Sequence, residues 1–314
     1  MTIDIDMLEM LRSSLRHVLT EESTQPLADH LAQLGWDEVV TDDAPTALRT
    51  LFEIKGETVS SADALGPTLA RRLAERADDP SLASATITVP WPNGVTAGTG
   101  DTIKIDAIAL SPLADRSVVI AVDGRLAVCA PGGIHAEALV GYDPLGMSRI
   151  SGSTAVVRWI DPDLCDQVVA DARWLVACEL VGIGRHVVAS AVEYTKQRVQ
   201  YGQPIGVFQA LQHRLASAHS TVVGAAHLAT EAGIAGDPWS ALVAKCMAGR
   251  AAETACTQAQ QCYGAIGFTW EHEFHRYLRR TYTLDWLFGD WRSLEYEIGT
   301  QLQATHVVPH IGVL

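Results

Sequence analysis

The chain has 314 residues, of which 48% are hydrophobic and 19% are charged, and its formal net charge is -14. This composition predicts a globular protein with enough apolar surface for two or three domains. The acidic balance argues against nucleic-acid binding, which needs a surplus of Lys and Arg. No apolar run approaches the length needed to cross a bilayer, and the N-terminus is acidic where a signal peptide would be basic, so we expect a cytoplasmic protein without a membrane partner.

Residues 1–83 are predicted to form an N-terminal helical domain. Apolar residues recur at helical spacing in MLEMLRSSLRHVL, PLADHLAQLGW and TALRTLFEIKG. Gly35 and Gly56 stand where glycine commonly ends a helix. A further helix, LGPTLARRLAERA, has Pro67 in its first turn.

Residues 84–160 have a different pattern, which predicts a small antiparallel β domain. The segments SATITVPW, DTIKIDAIAL, RSVVIAVDGRLAVCAP and STAVVRWI are short, β-branched and alternating. Gly, Pro, Asn and Asp separate them, and VDGR is a candidate hairpin turn.

Residues 161–314 are predicted to form a C-terminal helical bundle domain. Apolar periodicity indicates four helices, at about 163–200, 206–232, 237–267 and 272–303. Short connections favour antiparallel neighbours, as in a four-helix bundle. The predicted fold class is therefore α+β with three domains, in the order helices, β domain, bundle.

Three features of the sequence have simple structural interpretations. The cysteines form no C-x-x-C pair, and we expect buried free thiols rather than disulfides or a metal site. In HEFH, His272 and His275 lie three residues apart instead of the four of the zinc motif H-E-x-x-H, which favours a polar helix start. GIG at 182–184 lies within a helix and indicates close helix packing, not a dinucleotide fingerprint.

Two interhelical stretches, RVQYGQPIGVFQ from Arg198 and QCYGAIGF from Gln261, carry more chemistry. An arginine at a helix end, an aromatic beside it and amides at the next helix start suit an anionic, planar ligand. Two glycines in the second stretch let a backbone approach such a ligand closely. Taken alone, each stretch is explained equally well as a plain turn.

Together, the two stretches resemble the acyl-CoA dehydrogenase family. RVQYGQPIGVFQ is similar to the family's R-x-x-F-G-x-x-[IL]-x-x-x-Q signature, and QCYGAIGF is similar to its Q-x-x-G-G-x-G-[FY] turn. The spacing between them and the following HRYLRR also fit, and the resemblance is strong from about Asp171 to Gly289. It implies the family's helix–β–helix fold, FAD as cofactor and an acyl-CoA substrate.

The resemblance also implies which residues contact FAD. In such enzymes the flavin lies between a β domain and the bundle of a neighbouring subunit. The implied contacts are Arg198 to the pyrophosphate, Tyr201 near the adenosine half, Gln209 to the dinucleotide, and Gln261 with the backbone of Gly264 and Ala265 around the same moiety. Ala265 replaces the usual glycine, a departure that a backbone contact tolerates.

The catalytic base of the family is missing at its usual place. The family removes the substrate α-proton with a carboxylate while the flavin takes the β-hydride, and most members carry a Glu in a short E-G-T segment. LFGD stands there, with Phe288 at the Glu position. The alternative base position falls at Ala172; Asp171, Asp285 and Asp290 are near these two positions and are the possible substitutes.

The departures predict a subunit that carries half a site. No stretch matches the family's T-E-x-x-x-G-S-D strand or its W-I-T segment, and the N-terminal domain is short. The chain resembles the degenerate subunit of heteromeric α2β2 acyl-CoA dehydrogenases of bacterial sterol breakdown. This resemblance implies a full-length homologue as partner, an acyl-CoA as substrate, with a steroid-derived acyl group as a candidate, and electron-transfer flavoprotein as acceptor. A self-sufficient enzyme with a displaced Asp base, and a non-catalytic flavoprotein scaffold, remain the alternatives.

Overall fold

The computed structural model describes residues 3–21, 25–91, 96–98, 100–113, 118–122, 124–139 and 146–310. Its contacts divide the chain into two compact units, one formed by Met1–Ser60 with Arg173–Leu314 and the other by Ser61–Ala172. The first unit therefore combines the N-terminal helices with the C-terminal bundle. The sequence-based division at 83 and 160 follows composition along the chain and stays a prediction.

The first unit is helical. Its described elements are α1 (Ile5–Thr20), α2 (Leu27–Gln33), α3 (Trp36–Thr58), most of α5 (Pro162–Gln197), β7 (Val199–Gln200), β8 (Gln203–Pro204), α6 (Gln209–Ala235), α7 (Pro238–Tyr263), α8 (Phe274–Trp286) and α9 (Trp291–Thr305). Short 3-10 helices, Ile205–Val207 and Gly264–Phe268, follow the hairpin and α7.

Glycines let α3 and α5 cross in direct backbone contact. A Cβ on Gly182 would lie 1.9 Å from the carbonyl oxygen of Glu53, and a Cβ on Gly56 would lie 2.0 Å from that of Glu179. The close packing inferred for GIG is thus confirmed. Gly56 does not end its helix, because α3 continues to Thr58; the crossing, not the cap, requires this glycine.

The predicted fourth bundle helix, 272–303, is wrong as a single helix, because the chain breaks between α8 and α9. Phe288 and Gly289 have φ of 60° and 104°, which no right-handed helix accommodates. Asp290 then starts α9 as its N-cap, accepting hydrogen bonds from the backbone of Arg292 and Ser293.

The second unit is built around a sheet. It contains α4 (Leu65–Arg76), a 3-10 helix (Pro80–Ser84), the start of α5, and the strands β1 (Thr86–Pro90), β2 (Thr102–Ala109), β3 (Val118–Val122), β4 (Arg125–Cys129), β5 (Ile134–Ala138) and β6 (Ser148–Ile160). Val122 pairs with Arg125, which confirms the hairpin predicted at VDGR, although Asp123 lies outside the described residues.

Five of these strands close into a small barrel. The pairings run β1–β2–β6–β4–β3 and back to β1, and β5 adds to β6. Alternate residues of β2 to β4 point inward and form the core: Ile103, Ile105, Ala107, Ala109, Val118, Ile120, Val122, Ala127 and Cys129. The prediction of a purely antiparallel domain needs one correction. A closed ring with an odd number of strands cannot alternate direction throughout, and β1–β3 is the parallel pair.

Helix α5 differs from what we expected of the apolar segments. It is long and apolar enough to cross a bilayer, with an 18-residue window of mean hydropathy 1.6, although we expected no apolar run of that length. Within the protein, 72% of this window is buried. Such burial is typical of a helix at the centre of a packed core.

Candidate functional site

The two stretches singled out from the sequence lie at the same end of the bundle. Tyr194, in the last turn of α5, has its hydroxyl 3.5 Å from the carbonyl oxygen of Tyr263, the last residue of α7. Their rings meet edge to face at 5.1 Å. Arg198 follows within one turn, its N–H donating to the Tyr194 carbonyl, and Gly264 directly follows Tyr263. The fold therefore brings together residues that are more than sixty positions apart in the sequence.

A tight hairpin displays Tyr201. Strands β7 and β8 pair through Gln200 and Gln203, leaving Tyr201 and Gly202 as a two-residue turn with φ of 53° and 80°. Positive φ at both positions is the geometry of a type I′ turn, which is uncommon for tyrosine. Tyr201 is 94% exposed, and its ring meets that of Phe208 edge to face with the centroids 6.3 Å apart. The chain thus accepts a strained residue to present an aromatic ring outward.

The other predicted contact residues are also available to a ligand. Arg198, Gln209 and Gln261 are exposed, and within the described part of the chain their side chains make no hydrogen bond or ion pair. Gln212 differs, because its amide donates to the carbonyl of Gly206 at 2.8 Å and so supports the loop. Three such polar side chains around one bundle end can donate hydrogen bonds to phosphate oxygens of an external molecule, and the two amides can also accept hydrogen bonds from it.

The turn after α7 has the backbone geometry expected for a close approach. Gly264 has φ of 62° and ψ of -136°, a conformation that residues with a Cβ avoid. A 3-10 helix begins there, and Ala265 is exposed. These residues fit the backbone role that the resemblance assigns to them. The turn also displays Phe268 and Trp270, which are 75% and 76% exposed. The sequence analysis missed this aromatic pair, whose signal was two aromatics within three residues after Gly267.

An apolar groove of about 580 Å³ lies beside the hairpin, between α5 and α6. Its walls are mainly aliphatic and include Val188, Val192, Val207, Leu211 and Leu215. Such volume and lining are within the range of sites that take apolar groups. The groove adds apolar surface to the same bundle end that carries the exposed aromatics.

The loop at the family's base position is held from several sides. The Phe288 carbonyl accepts a hydrogen bond from Arg173 Nε at 3.1 Å, and Arg173 also pairs with Glu297. Lys245 Nζ donates to the carbonyls of Asp285 (2.8 Å) and Gly289 (3.1 Å). Neither cation could be identified from sequence, because both come from distant helices. The loop is thus a fixed structural element with an aromatic side chain in place of a carboxylate.

Burial dominates the electrostatics beneath this loop. Lys245 is fully buried, and desolvation lowers its pKa to about 8. Asp285 lies 3.6 Å away, and burial raises the pKa of its carboxyl group although Lys245 opposes the shift. Gly249 makes room for this carboxylate, since a Cβ there would lie 2.1 Å from Asp285 Oδ1.

Each carboxylate considered as a substitute base has structural partners. Asp171 pairs with Arg72 at 2.6 Å and with Arg76 at 3.0 Å. Asp285 accepts the N–H of Trp291 at 3.2 Å in addition to its contact with Lys245. Partial burial opposes ionisation of Asp290, but hydrogen bonds from Ser293 and Arg292 outweigh it and lower the pKa. All three carboxylates therefore take part in structural contacts within the described chain.

The structure agrees with a polar helix start at HEFH and with buried, free cysteine thiols. His272 Nδ1 accepts the N–H of Phe274 at 3.1 Å, so it caps the start of α8. All six cysteines are buried and free. Within the described residues no group of His, Cys, Asp and Glu is arranged to hold a metal ion.

Comparison with known proteins identifies a family profile that includes the residues described above. Residues 165–293 match the family profile described as acyl-CoA dehydrogenase, C-terminal domain. This part of the chain is therefore similar to the C-terminal domain of acyl-CoA dehydrogenases. The matched residues contain both stretches of the bundle end and the Phe288 loop.

Curated relatives extend the match. Acyl-CoA dehydrogenase IpdE2 of Mycobacterium tuberculosis (strain ATCC 25618 / H37Rv) is 33% identical over 198 residues, 57% of this chain. IpdE2 of Mycolicibacterium smegmatis (strain ATCC 700084 / mc(2)155) is 36% identical over 138 residues, 42% of this chain. The matched regions span 61% and 44% of these relatives' lengths.

Solved structures show the same fold over nearly the whole chain. A variant of the Tcur3481-Tcur3483 steroid ACAD superposes with a TM-score of 0.81 at 19% identity, covering 96% of this chain and 99% of that one. The ChsE4-ChsE5 complex from Mycobacterium tuberculosis gives 0.79 at 19% identity, covering 99% and 100%. The chain therefore has the acyl-CoA dehydrogenase fold, as the sequence resemblance implied.

Proposed function

We propose that the chain is the non-base-carrying subunit of a heteromeric, FAD-dependent acyl-CoA dehydrogenase. The observation that carries this proposal is an asymmetry between two parts of the family's site. At the bundle end, Arg198, Tyr201 and Gln209 are exposed and available to a ligand. By contrast, Phe288 stands where the base is expected, in a loop that a hydrogen bond from Arg173 holds in place. A partner of full length would supply the base and the isoalloxazine pocket.

The roles of this chain's residues follow from their chemistry. The Arg198 guanidinium would pair with the pyrophosphate of FAD, and the Tyr201 ring would cover the adenosine half. The amides of Gln209 and Gln261 and the backbone at Gly264 and Ala265 would hold the same portion. When bound, FAD supplies hydride acceptance in the α,β-dehydrogenation of an acyl-CoA thioester. None of these residues transfers a proton, so the chain acts by binding and orientation.

The partner and substrate are part of the proposal. The names of two structural neighbours describe a complex of two components and a steroid ACAD, which supports an α2β2 assembly and a steroid-derived acyl-CoA. The exposed Phe268 and Trp270 and the groove at the bundle end provide apolar surface for such a partner. We further propose electron-transfer flavoprotein as the electron acceptor and the cytoplasm as the location.

The decisive experiment is to measure flavin content and native mass of the purified chain, alone and co-expressed with a full-length acyl-CoA dehydrogenase homologue. The proposal expects a flavin-free lone chain and a yellow complex with one FAD per unlike pair. A yellow homo-oligomer with one FAD per chain would overturn it and favour the self-sufficient enzyme. A flavin-loaded complex that no acyl-CoA bleaches would instead favour the scaffold.

A further inference from the structure

A cluster of arginines lies in the first unit, away from the bundle end. Helices α1, α3 and α5 gather them around two glutamates that are one turn apart on α3. The arginine cluster consists of Arg12, Arg16, Arg49 and Arg185, with Glu53 and Glu57 at its centre. Glu53 is fully buried, and Glu57 is 15% exposed.

The contacts within the cluster use every carboxylate oxygen. Arg12 bridges the two acids, at 3.0 Å to Glu53 Oε2 and 2.6 Å to Glu57 Oε1. Arg49 and Arg185 reach Glu53 at 3.3 Å and 2.5 Å. Arg16 reaches Glu57 Oε2 at 2.7 Å. Every oxygen of the two glutamates thus already accepts from at least one guanidinium group.

Positive charge exceeds negative charge at this place. Four guanidinium groups face two carboxylates, and in the described ranges no other acid pairs with these arginines. The excess of two positive charges is unusual in a chain with 37 acidic and 23 basic residues. Partly desolvated cations of like sign repel each other, so an additional anion would stabilise the cluster.

The unused donors of the cluster reach solvent. Each guanidinium carries five N–H groups, and Arg16, Arg49 and Arg185 each donate to the glutamates through a single nitrogen. None of the cluster's nitrogens is among the buried unpaired polar atoms of the described chain. Side-chain exposure rises from 17% at Arg49 to 38% at Arg185 and 49% at Arg16. An anion would thus meet Arg16 and Arg185 first.

We propose that the arginine cluster binds a phosphate group. Phosphate offers several acceptor oxygens, and its negative charge is close in size to the excess of two positive charges in the cluster. Guanidinium groups also match the geometry of phosphate oxygens. A compact anion also suits the site better than an acidic protein surface, which would face the whole net charge of -14. Arg185 lies on α5 and Arg198 directly follows that helix. At the helical rise the two residues are about 20 Å apart, so the cluster is separate from the predicted FAD contacts.

The test measures binding of inorganic phosphate and pyrophosphate to the full-length chain by calorimetry and thermal shift, at constant ionic strength set with sodium chloride. Arg16→Ala and Arg185→Gln should weaken binding on the order of tenfold, as expected for one charge-assisted hydrogen bond. The matched control is Arg292→Ala, because Arg292 pairs with Glu253 in a different, exposed ion pair. Arg16 lies at the rim, so its variant should fold even if Arg185→Gln does not.

Two further ligands identify the source of the phosphate. If CoA binds more tightly than dephospho-CoA, and if Arg16→Ala loses this difference, the site binds the ribose 3′-phosphate that dephospho-CoA lacks. Equal affinity of the two, with pyrophosphate still binding, would assign it to a free anion. Equal phosphate binding by the wild type, Arg16→Ala, Arg185→Gln and Arg292→Ala would overturn the proposal. A binding or thermal-shift response to phosphate no larger than the response to chloride would also overturn it. The result does not depend on whether a flavin subunit is found, so this proposal and the proposed function fail separately.

Discussion

Two residues in left-handed conformations mark the two halves of the family's site. Tyr201 and Phe288 are among the few non-glycine residues with positive φ in the described chain. Such conformations persist where surrounding contacts enforce them. At Tyr201 the hairpin enforces an outward-facing ring, and at Phe288 the hydrogen bond from Arg173 fixes the loop. Positive φ thus coincides with an exposed ring at Tyr201 and with a hydrogen-bonded backbone carbonyl at Phe288.

At the residue scale, Arg198→Ala should reduce flavin retention by the complex. Removing one partner of a charge pair at an interface weakens binding by about 2–5 kcal/mol. The measurement is the flavin-to-protein ratio after dialysis. Lys196→Ala is the control, because Lys196 is an exposed cation at the same helix end that already pairs with Glu193 at 2.6 Å. Equal flavin content in both variants would contradict the assignment of Arg198.

Lys245 provides a pH prediction at the same scale. Burial lowers its pKa from 10.5 to about 8, so the folded chain loses this proton before the unfolded chain does. Between these values the unfolded state binds more protons, and the free energy of unfolding should rise with pH by up to about 1.4 kcal/mol per unit. Below pH 8 the penalty for burying the charge is fully present.

The measurement for Lys245 is urea unfolding at pH 7.5 and at pH 10, in the wild type and in Lys245→Met. The wild type should gain stability relative to the variant over this interval. A parallel pH response of the two proteins would show that Lys245 does not titrate as its burial suggests.

At the element scale, the break between α8 and α9 contains the loop that corresponds, by the sequence resemblance, to the catalytic segment of the family. Lys245 and Arg173 bind three backbone carbonyls around it, and Asp285 accepts the N–H of Trp291. These contacts come from α5, α7 and the two helices that flank the break, so several helices of the bundle hold the loop. A loop restrained in this way presents one fixed surface.

Phe288→Glu should therefore leave the lone chain inactive toward acyl-CoA. The new carboxylate would stand at the expected base position, but the sequence of the β domain has no match to the segments that hold the flavin ring in the family. The measurement is acyl-CoA oxidation with an artificial electron acceptor and added FAD. Turnover by this variant alone would mean that the base was the only missing group.

The crossing of α3 and α5 is a second property of elements. Gly182→Ala would place a Cβ 1.9 Å from the Glu53 carbonyl oxygen and should destabilise the chain by about 1–3 kcal/mol. Gly224→Ala is the matched control on α6, where a Cβ would meet no atom within 4 Å and should add about 0.5–1 kcal/mol of stability. Similar melting temperatures for both variants would contradict the close approach of the backbones.

At the scale of the whole molecule, the cores exclude every cysteine from solvent. All six are buried and free, and burial raises the pKa of Cys129 to about 11 and that of Cys256 to about 12. The thiolate is the reactive form, so both access and ionisation oppose modification. The native chain should not react with a chromophoric disulfide reagent at pH 8, and six thiols should react after unfolding. A rapidly reacting native thiol would contradict this packing.

The sequence by itself determined the class of most elements, and the family resemblance of two stretches supplied the candidate flavin contacts. Helical and alternating periodicities identify buried faces locally, so the bundle, the β domain and the hairpin at VDGR were predictable. The two motif stretches were equally visible, because their glycines, arginine and amides occur at fixed spacing. The break after α8 also had a local signal in Gly289 and Asp290, which the apolar periodicity obscured.

Only the tertiary structure decided which distant residues act together. Barrel closure made one strand pair parallel, and the crossing at Gly56 and Gly182 overrode the usual role of glycine at a helix end. Arg173 and Lys245 reach the Phe288 loop across gaps of more than forty residues. Such contacts depend on where whole helices lie, and side-chain spacing along one chain segment carries no information about that.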